Sequence, residues 1–455
     1  MTCQRLALTA LTLLLLTAQT AVGKIKITPQ QAWPDGTPME TWFTDTAKID
    51  AGMLGNRYCI TDYGVQDDST TVQTEALQRV IDRCAADGGG VVVIPRGMTV
   101  LSGALFFKPK THLHIEEGGR LKGIDDIRHY PLIDMHMEGK MIKYFAALVT
   151  AIGCDGFTIT GRGTIDGDAR RFWDEFWIRR KMNPKCTNLE AMRPQLVYIA
   201  ESDDVTVQDV RLVNSAFWTN HLYKCSRAKY IDCYIESPTV GATRAPSSDG
   251  LDLDICTDVV VRGCFMNICD DGVCLKGGKG TYVDRDSTAG PVRRVLVEKC
   301  RFGRLTNAGI TFGSEAWDCQ NIVLRDSRFE GSGHALLFKM RTDTPQTYQD
   351  VLMERCTGWV TNAVETSSWK QFHQLEERAD MPTSVVRNVT IRNISDLRSK
   401  RFFYVVKDRA LKHQFNMENF TLQDINVSDS HSQFDIEHVK NVLLKDVVLN
   451  DEKKD

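Results

Sequence analysis

Past residue 23 the sequence has no apolar stretch approaching the roughly 20 residues that a membrane-spanning helix needs, so membrane insertion is not expected. It has no excess of either charge. Its 56 Lys and Arg against 59 Asp and Glu leave −3 over 455 residues, too weak a field for non-specific nucleic-acid binding. Recognition of an acidic partner would therefore fall to a local basic cluster. There is no paired Cys-x-x-Cys and no Cys/His cluster at ligand spacing, which argues against zinc, and no metal or other cofactor is expected. A nucleotide fingerprint is also missing. Gly161-Arg162-Gly163 begins like one, but Asp166 stands where its last glycine should be and no βαβ unit follows.

What is present begins with an export signal. Residues 1–23 carry Arg5, an apolar run from Leu6 to Leu16, and small residues at Ala18, Ala21 and Gly23, the pattern of a secretory signal peptide. Cys3 precedes the apolar run rather than following it, so the expected product is soluble, secreted or periplasmic; a monomer is expected. Thirteen of the 14 cysteines lie beyond the leader. Most recur where an inward strand position or a turn falls, as at Cys225, Cys233, Cys256, Cys264, Cys300 and Cys356. The expectation is a stack of core thiols with one bridge among them, not a disulfide framework.

Residues 24–57 read as an extended N-terminal lead-in, and 58–455 as one domain. A strand at Cys59–Thr61 is followed by a helix near Thr71–Ala86, whose Val72, Ala76, Leu77, Val80 and Ile81 keep helical spacing and which ends at Gly88–Gly90. From Leu101 onward short strands take over. Segments such as VTVQDVRL, KYIDCYIE, VVVRGCFM, VLVEKCRF and IVLRDSRF repeat one pattern of alternating apolar residues, a charged or Asn position and often a Cys. Copies begin roughly 20–40 residues apart, the spacing of a solenoid. The expected fold is all-β, a right-handed parallel β-helix whose early helix caps the first coil. Two insertions, 168–195 and 370–383, break the rhythm and are expected to border a groove.

Residues 247–276 read as two consecutive rungs. Asp249 closes a Ser-Ser-Asp-Gly turn, and Asp270 and Asp271 close the next. Stacked strands lie about 4.8 Å apart, so acids one coil apart share one groove. Adjacent carboxyls push one pKa up and leave another ionised, which supplies the proton donor and the water-activating base of glycoside hydrolysis. Lys276 and Lys279 follow in a basic glycine-rich turn that could face an acidic sugar.

These residues resemble glycoside hydrolase family 28, the polygalacturonases and related pectin hydrolases. Thr61–Gly97 is similar to the family's cap region, Gly161–Trp173 to its Gly-Thr-Ile-Asp-Gly segment, and Asn214–Cys225 to its Ser-Pro-Phe-Trp segment. Ser247-Ser248-Asp249-Gly250-Leu251-Asp252 resembles Asn-Thr-Asp-Gly-Ile-Asp, and Asp270-Asp271-Gly272 resembles Asp-Asp-Cys. The resemblance implies Asp270 as general acid, with Asp249 and Asp271 holding the attacking water. It also exposes two departures. The family's Gly-His-Gly falls on Asn307-Ala308-Gly309, and its Arg-x-Lys falls on Leu337-Phe338-Lys339, so Lys339 remains while a His and an Arg are lost. Arg341, His334 and His221 are candidates to compensate, with Lys276, as substrate-binding groups. The expected activity is an inverting, exo-acting hydrolase of galacturonate-containing linkages in an acidic pectic glycan. The alternatives are a calcium-dependent polysaccharide lyase on the same fold and a glycan-binding β-helix with altered catalysis.

Overall fold

The computed structural model describes residues 31–241, 243–371, 376–407, 415–428 and 434–450. The expected leader lies outside them. The chain winds as a right-handed parallel β-helix whose coils feed three ladders. The first ladder has thirteen strands, from Arg57–Cys59 and Gly90–Ile94 through Thr257–Arg262 and Val292–Glu298 to Lys440–Asn450, each paired with the strand one coil earlier. The second includes Tyr234–Ser237, Phe265–Ile268 and Arg301–Phe302. The third includes Asn220–Tyr223, Leu251–Asp254, Val273–Lys276 and Ala308–Phe312. From Arg328–Arg341 onward one long strand serves both the second and the third.

In-register stacking aligns like residues into columns. Leu222, Leu253, Leu275, Phe312 and Phe338 are successive partners on the third ladder, and the last two rings stack with centroids 4.4 Å apart. Alternation turns these side chains into one continuous apolar interior. In the later first-ladder strands an Asp or Asn just before the repeated apolar run supplies a kink. Asp258, Asn321, Asp350, Asn388, Asn419 and Asn441 all take left-handed backbone angles, which Asn and Asp tolerate best among residues with a side chain. The last four form a hydrogen-bonded file, with Asn441 donating to Asn419, Asn419 to Asn388 and Asn388 to Asp350 over 2.9–3.2 Å.

All thirteen described cysteines are free, twelve of them buried, so the expected bridge does not form among the described residues. Each corner thiol is aimed at a carbonyl of the preceding coil instead. Cys264 donates to Tyr230 O and Cys300 to Val261 O, each at 3.5 Å.

Three α-helices decorate the solenoid among the described residues. The first, α1 (Thr41–Thr44), belongs to the N-terminal lead-in, which is more than a leader to the fold. Trp33, Met39 and Phe43 cover the outward side of the first ladder at Ile231, Val260, Leu296, Val323 and Leu352. Those outward positions are apolar because these strands carry unbroken runs such as Val259–Val261, and an apolar outer face needs a cover. The cap, α2 (Thr74–Ala86), buries Leu77, Val80, Ile81 and Cys84. It starts later than its periodicity suggested because Val72 belongs to the strand Asp68–Val72. Likewise the first strand is Arg57–Cys59, and Ile60–Tyr63 forms a tight helical turn instead of extending it. A hairpin, Leu132–Met137 with Lys140–Phe145, supplies antiparallel pairing, and α3 (Arg170–Met182) fills much of the first insertion. Both emerge between the second and third ladders, on the side where the acids lie.

Candidate active site

The acids sit at successive corners between the second and third ladders, and glycine sets their spacing. Gly250 N donates to Asp271 O and Gly272 N to Ala308 O, at 2.9 and 2.7 Å. A Cβ on Gly250 would come within 2.6 Å of Gly272 O, and one on Gly272 within 2.9 Å of Ala308 O. Only glycine lets the corners stack this closely, so each Asp-Gly pair fixes one acid above the next.

The carboxyls are held in opposite states. Asp271 is buried, and burial alone would raise its pKa. The Lys339 ammonium, 2.7 Å from one carboxylate oxygen, and the Asn307 amide, 2.6 Å from the other, overcome that and hold it below the usual range. Asp270 is half-buried, and burial followed by the Asp249 and Asp271 carboxyls raises its pKa well above the ordinary value. Asp249 is raised by burial and then by Asp252; its Oδ2 accepts from the Cys274 thiol at 3.4 Å while its Oδ1 has no hydrogen-bond partner. Burial takes Asp252 to about 8, against the pull of Lys276.

Around them lies a cavity of about 270 Å³. Its floor carries Asp249, Asp270, Asp271 and Lys339. Lys276 bridges Glu315 at 3.2 Å, and burial of Glu315 is outweighed by Lys276, Lys279 and Arg341, which keep it ionised. The two cavity lysines each lie over an indole: Lys276 over Trp218 at 4.8 Å and Lys339 over Trp369 at 4.7 Å. The walls come from the insertions, with Glu138 from the hairpin turn, Trp177 and Arg180 from α3, and Arg244 from the loop leading to Asp249.

The structure therefore brings together five of the eight expected residues: Asp249, Asp270, Asp271, Lys276 and Lys339. The other three do not line the cavity. Arg341 does share the outward side of its strand with Lys339, but its guanidinium is buried and bonded bidentately to Asp343 at 2.7 and 2.8 Å. His221 is fully buried, 3.3 Å from Asp254 and 3.2 Å from the Gln195 amide, and burial lowers its pKa. His136 reaches the same Asp254 oxygen at 2.5 Å, so that acid is occupied by two imidazoles. His334 is the register partner of Ala308 one coil on, yet it lies beside Asn362 and Glu365, at 3.2 and 3.4 Å. Lone Arg and His residues in the sequence carry no sign of which acid will claim them.

The family model for glycosyl hydrolases family 28 matches residues 133–442, which span the hairpin, the insertions and every cavity residue above. The chain belongs to this family. It is similar to a probable polygalacturonase from Vitis vinifera, 24% identical over 265 residues that cover 56% of this chain and 51% of that protein. It is similar to an endo-polygalacturonase from Pectobacterium parmentieri, 25% identical over 60% of this chain and 65% of the relative. The chain spans about half the length of most curated relatives it matches. In fold it is similar to an exopolygalacturonase from Thermotoga maritima, with a TM-score of 0.69 at 20% identity, covering 87% of this chain and 92% of that one.

Several cavity residues were not singled out in the sequence. Asn307 sits inside a segment already quoted for the resemblance, so the signal was there, and Glu315 follows six residues after that segment's last glycine. Trp177 and Arg180 lie in the insertion expected to border the groove. Arg244 and Glu138 carried no local signal, because only the folding of a loop and a hairpin onto the third ladder turns them inward.

Proposed function

We propose that this protein is an inverting hydrolase that removes galacturonate-containing units from the end of pectic chains. The observation that carries this reading is the split between neighbouring carboxyls, Asp270 holding a proton and Asp271 held ionised in one cavity. Asp270 gives its proton to the glycosidic oxygen as the bond to the anomeric carbon breaks. Water adds to that carbon from the opposite face and its proton passes to Asp271, oriented with help from Asp249. One proton is donated and one taken, so the pair resets by exchange with solvent.

Substrate class follows from the lining. Lys276, Lys339, Arg180 and Arg244 offer cations to a uronate carboxylate, and Trp177, Trp218 and Trp369 offer flat faces to a pyranose. The family's lost His and Arg have no like-for-like substitute, since Ala308 and Leu337 are both buried apolar residues. Arg180 and Arg244 take over the anion-binding duty in this reading. End-wise action is supported by the hairpin and α3, which wall the cavity, while relatives of both endo and exo type are matched. Export to the periplasm or the medium is part of the proposal and rests on residues 1–23 alone.

The test is digestion of a panel of pectic oligosaccharides with EDTA present, by the wild type and Asp270→Asn. Expected are single-unit steps, products of inverted anomeric configuration by NMR, no ultraviolet absorbance from unsaturated sugars, and a loss of about 10²–10⁴-fold in the variant. Calcium-dependent unsaturated products would sink the hydrolase reading, and internal cleavage would sink its end-wise part.

A further inference from the structure

We propose that the outer face of the second ladder carries a separate, non-catalytic binding site for an acidic glycan chain, centred on Trp359. The polymer assigned to it rests on the function proposed above; the face itself does not.

Register builds the site. Glu330, Trp359 and Arg398 are successive partners on three adjacent coils, and Arg328, Thr357 and Asp396 are partners two residues earlier on the same outward side. Neighbouring rungs are about 4.8 Å apart, so the six positions tile a nearly flat patch. Trp359 is 44% exposed, unusual for so large an aromatic on a solenoid wall otherwise dressed in charge. Beside it the surface dips. Gly331 has a left-handed backbone, and a Cβ there would lie 3.5 Å from Arg304 Cγ and 3.7 Å from Trp359 Cε3. Gly331 thus lies on the floor of a shallow groove of about 620 Å³ that Trp359 and Arg304 border.

The charge is cationic once internal pairs are removed. Glu330 is satisfied by Arg301 at 2.8 Å, which leaves Arg304 and Arg328 against Asp396. Arg304 and Arg328 make no ion pair among the described residues. A guanidinium fork matches a carboxylate, and an exposed indole matches the C–H face of a pyranose, so the pairing of the two suits a polyuronate. Two arginines beside an acid are too few to hold a nucleic-acid backbone on a chain of net charge −3. Arg304 stands three residues before Asn307, which holds Asp271, so the patch lies around the corner from the cavity. A long chain held there raises the local concentration of its own ends at the cavity, whereas a trimer is too short to touch both.

Affinity electrophoresis tests this in gels containing polygalacturonate, fully methyl-esterified pectin or single-stranded DNA, with every protein carrying Asp270→Asn so that the gel is not digested. Polygalacturonate is expected to retard the parent, with Trp359→Ala and Arg328→Gln each weakening the apparent affinity at least 5-fold, and esterified pectin retarding all of them little. In the active background, Trp359→Ala is expected to leave trimer hydrolysis within 2-fold and to slow polymer hydrolysis 3- to 10-fold. Unchanged retardation in both variants overturns the proposal, as does retardation by DNA equal to that by polygalacturonate. Arg328→Gln keeps the test decisive if Trp359→Ala melts early. Retardation is read without turnover, so a protein that cleaves nothing yet binds through Trp359 sinks the catalytic reading and leaves this one standing.

Discussion

Two strands a single corner apart, Leu251–Asp254 on the third ladder and Thr257–Arg262 on the first, are wound from the same coil and meet opposite ends. In the second of them, Val259 and Val261 fill the interior, and Val260 on the outside is covered by the N-terminal strap. Arg262 is buried, but it bonds Glu298 at 2.5 Å and the Asp45 carbonyl at 2.8 Å. In the first, Leu251 and Leu253 fill the same interior while Asp252 stays buried with neither carboxyl oxygen hydrogen-bonded. That first-ladder strand pairs its buried charge. The third ladder buries Asp249 with one carboxyl oxygen unbonded and Asp252 with both unbonded, and that burial raises both pKa values beside an ionised Asp271. A stable solenoid wall and a reactive one differ in a few unpaired oxygens, the usual sign of a site that trades stability for chemistry.

The contrast breaks hardest at the ion pair that keeps Asp271 charged. Lys339→Met is expected to lower kcat/KM by about 10²–10³-fold. It should also move the acid limb of the pH–rate profile upward, because burial of Asp271 is then opposed only by Asn307 and Lys276 and the base takes up its proton at higher pH. The alkaline limb follows Asp270, whose raised pKa keeps the acid protonated well above the ordinary carboxyl range. An acid limb that stays in place would mean that Asp271 is not the base.

On the closed wall the same kind of substitution should touch stability alone. Leu324 is fully buried in the first ladder, and Leu324→Ala is expected to cost about 2–5 kcal/mol in chemical denaturation with kcat per folded molecule unchanged. A fall in kcat would show the two walls to be coupled.

Asp252→Asn sharpens the comparison most gently. A carboxyl raised to about 8 when folded disfavours the native state between its ordinary value near 3.8 and that point, since the unfolded chain ionises there and the folded one does not. The variant should therefore melt higher than the wild type at pH 7, by about 2–4 °C for each kcal/mol relieved, and alongside it near pH 3.5. A lower melting point at pH 7 would mean that Asp252 supports the fold instead of straining it.

Much of the site was legible in the chain because it is written in the repeat. The Asp-Gly pairs at 249–250 and 271–272 mark the corners, and one-coil stacking then places their acids together whatever else the chain does. Lys339 followed from its place in the resemblance, and Arg341, two residues on, shares its side of the strand. Alternation could not say that Asp343, two residues further along, would take that guanidinium. His221 shows the same limit. It was a candidate for the substrate, but the hairpin and its neighbours close over it, and Asp254 holds it inside. The strap was missed for a different reason. Trp33, Met39 and Phe43 have no periodicity of their own, and only the apolar outer face of the first ladder gives them a place.

By itself, then, the sequence determined the coil: apolar alternation, thiols at corners, Asn and Asp at kinks, glycine where coils press together. Those are local choices, and repetition adds them into a solenoid. The tertiary structure alone decided which charged groups would be left without partners, because hydrogen-bond satisfaction depends on what the insertions bring over each rung. The cavity exists where a hairpin, a helix and a loop cover the third ladder without answering all of its acids.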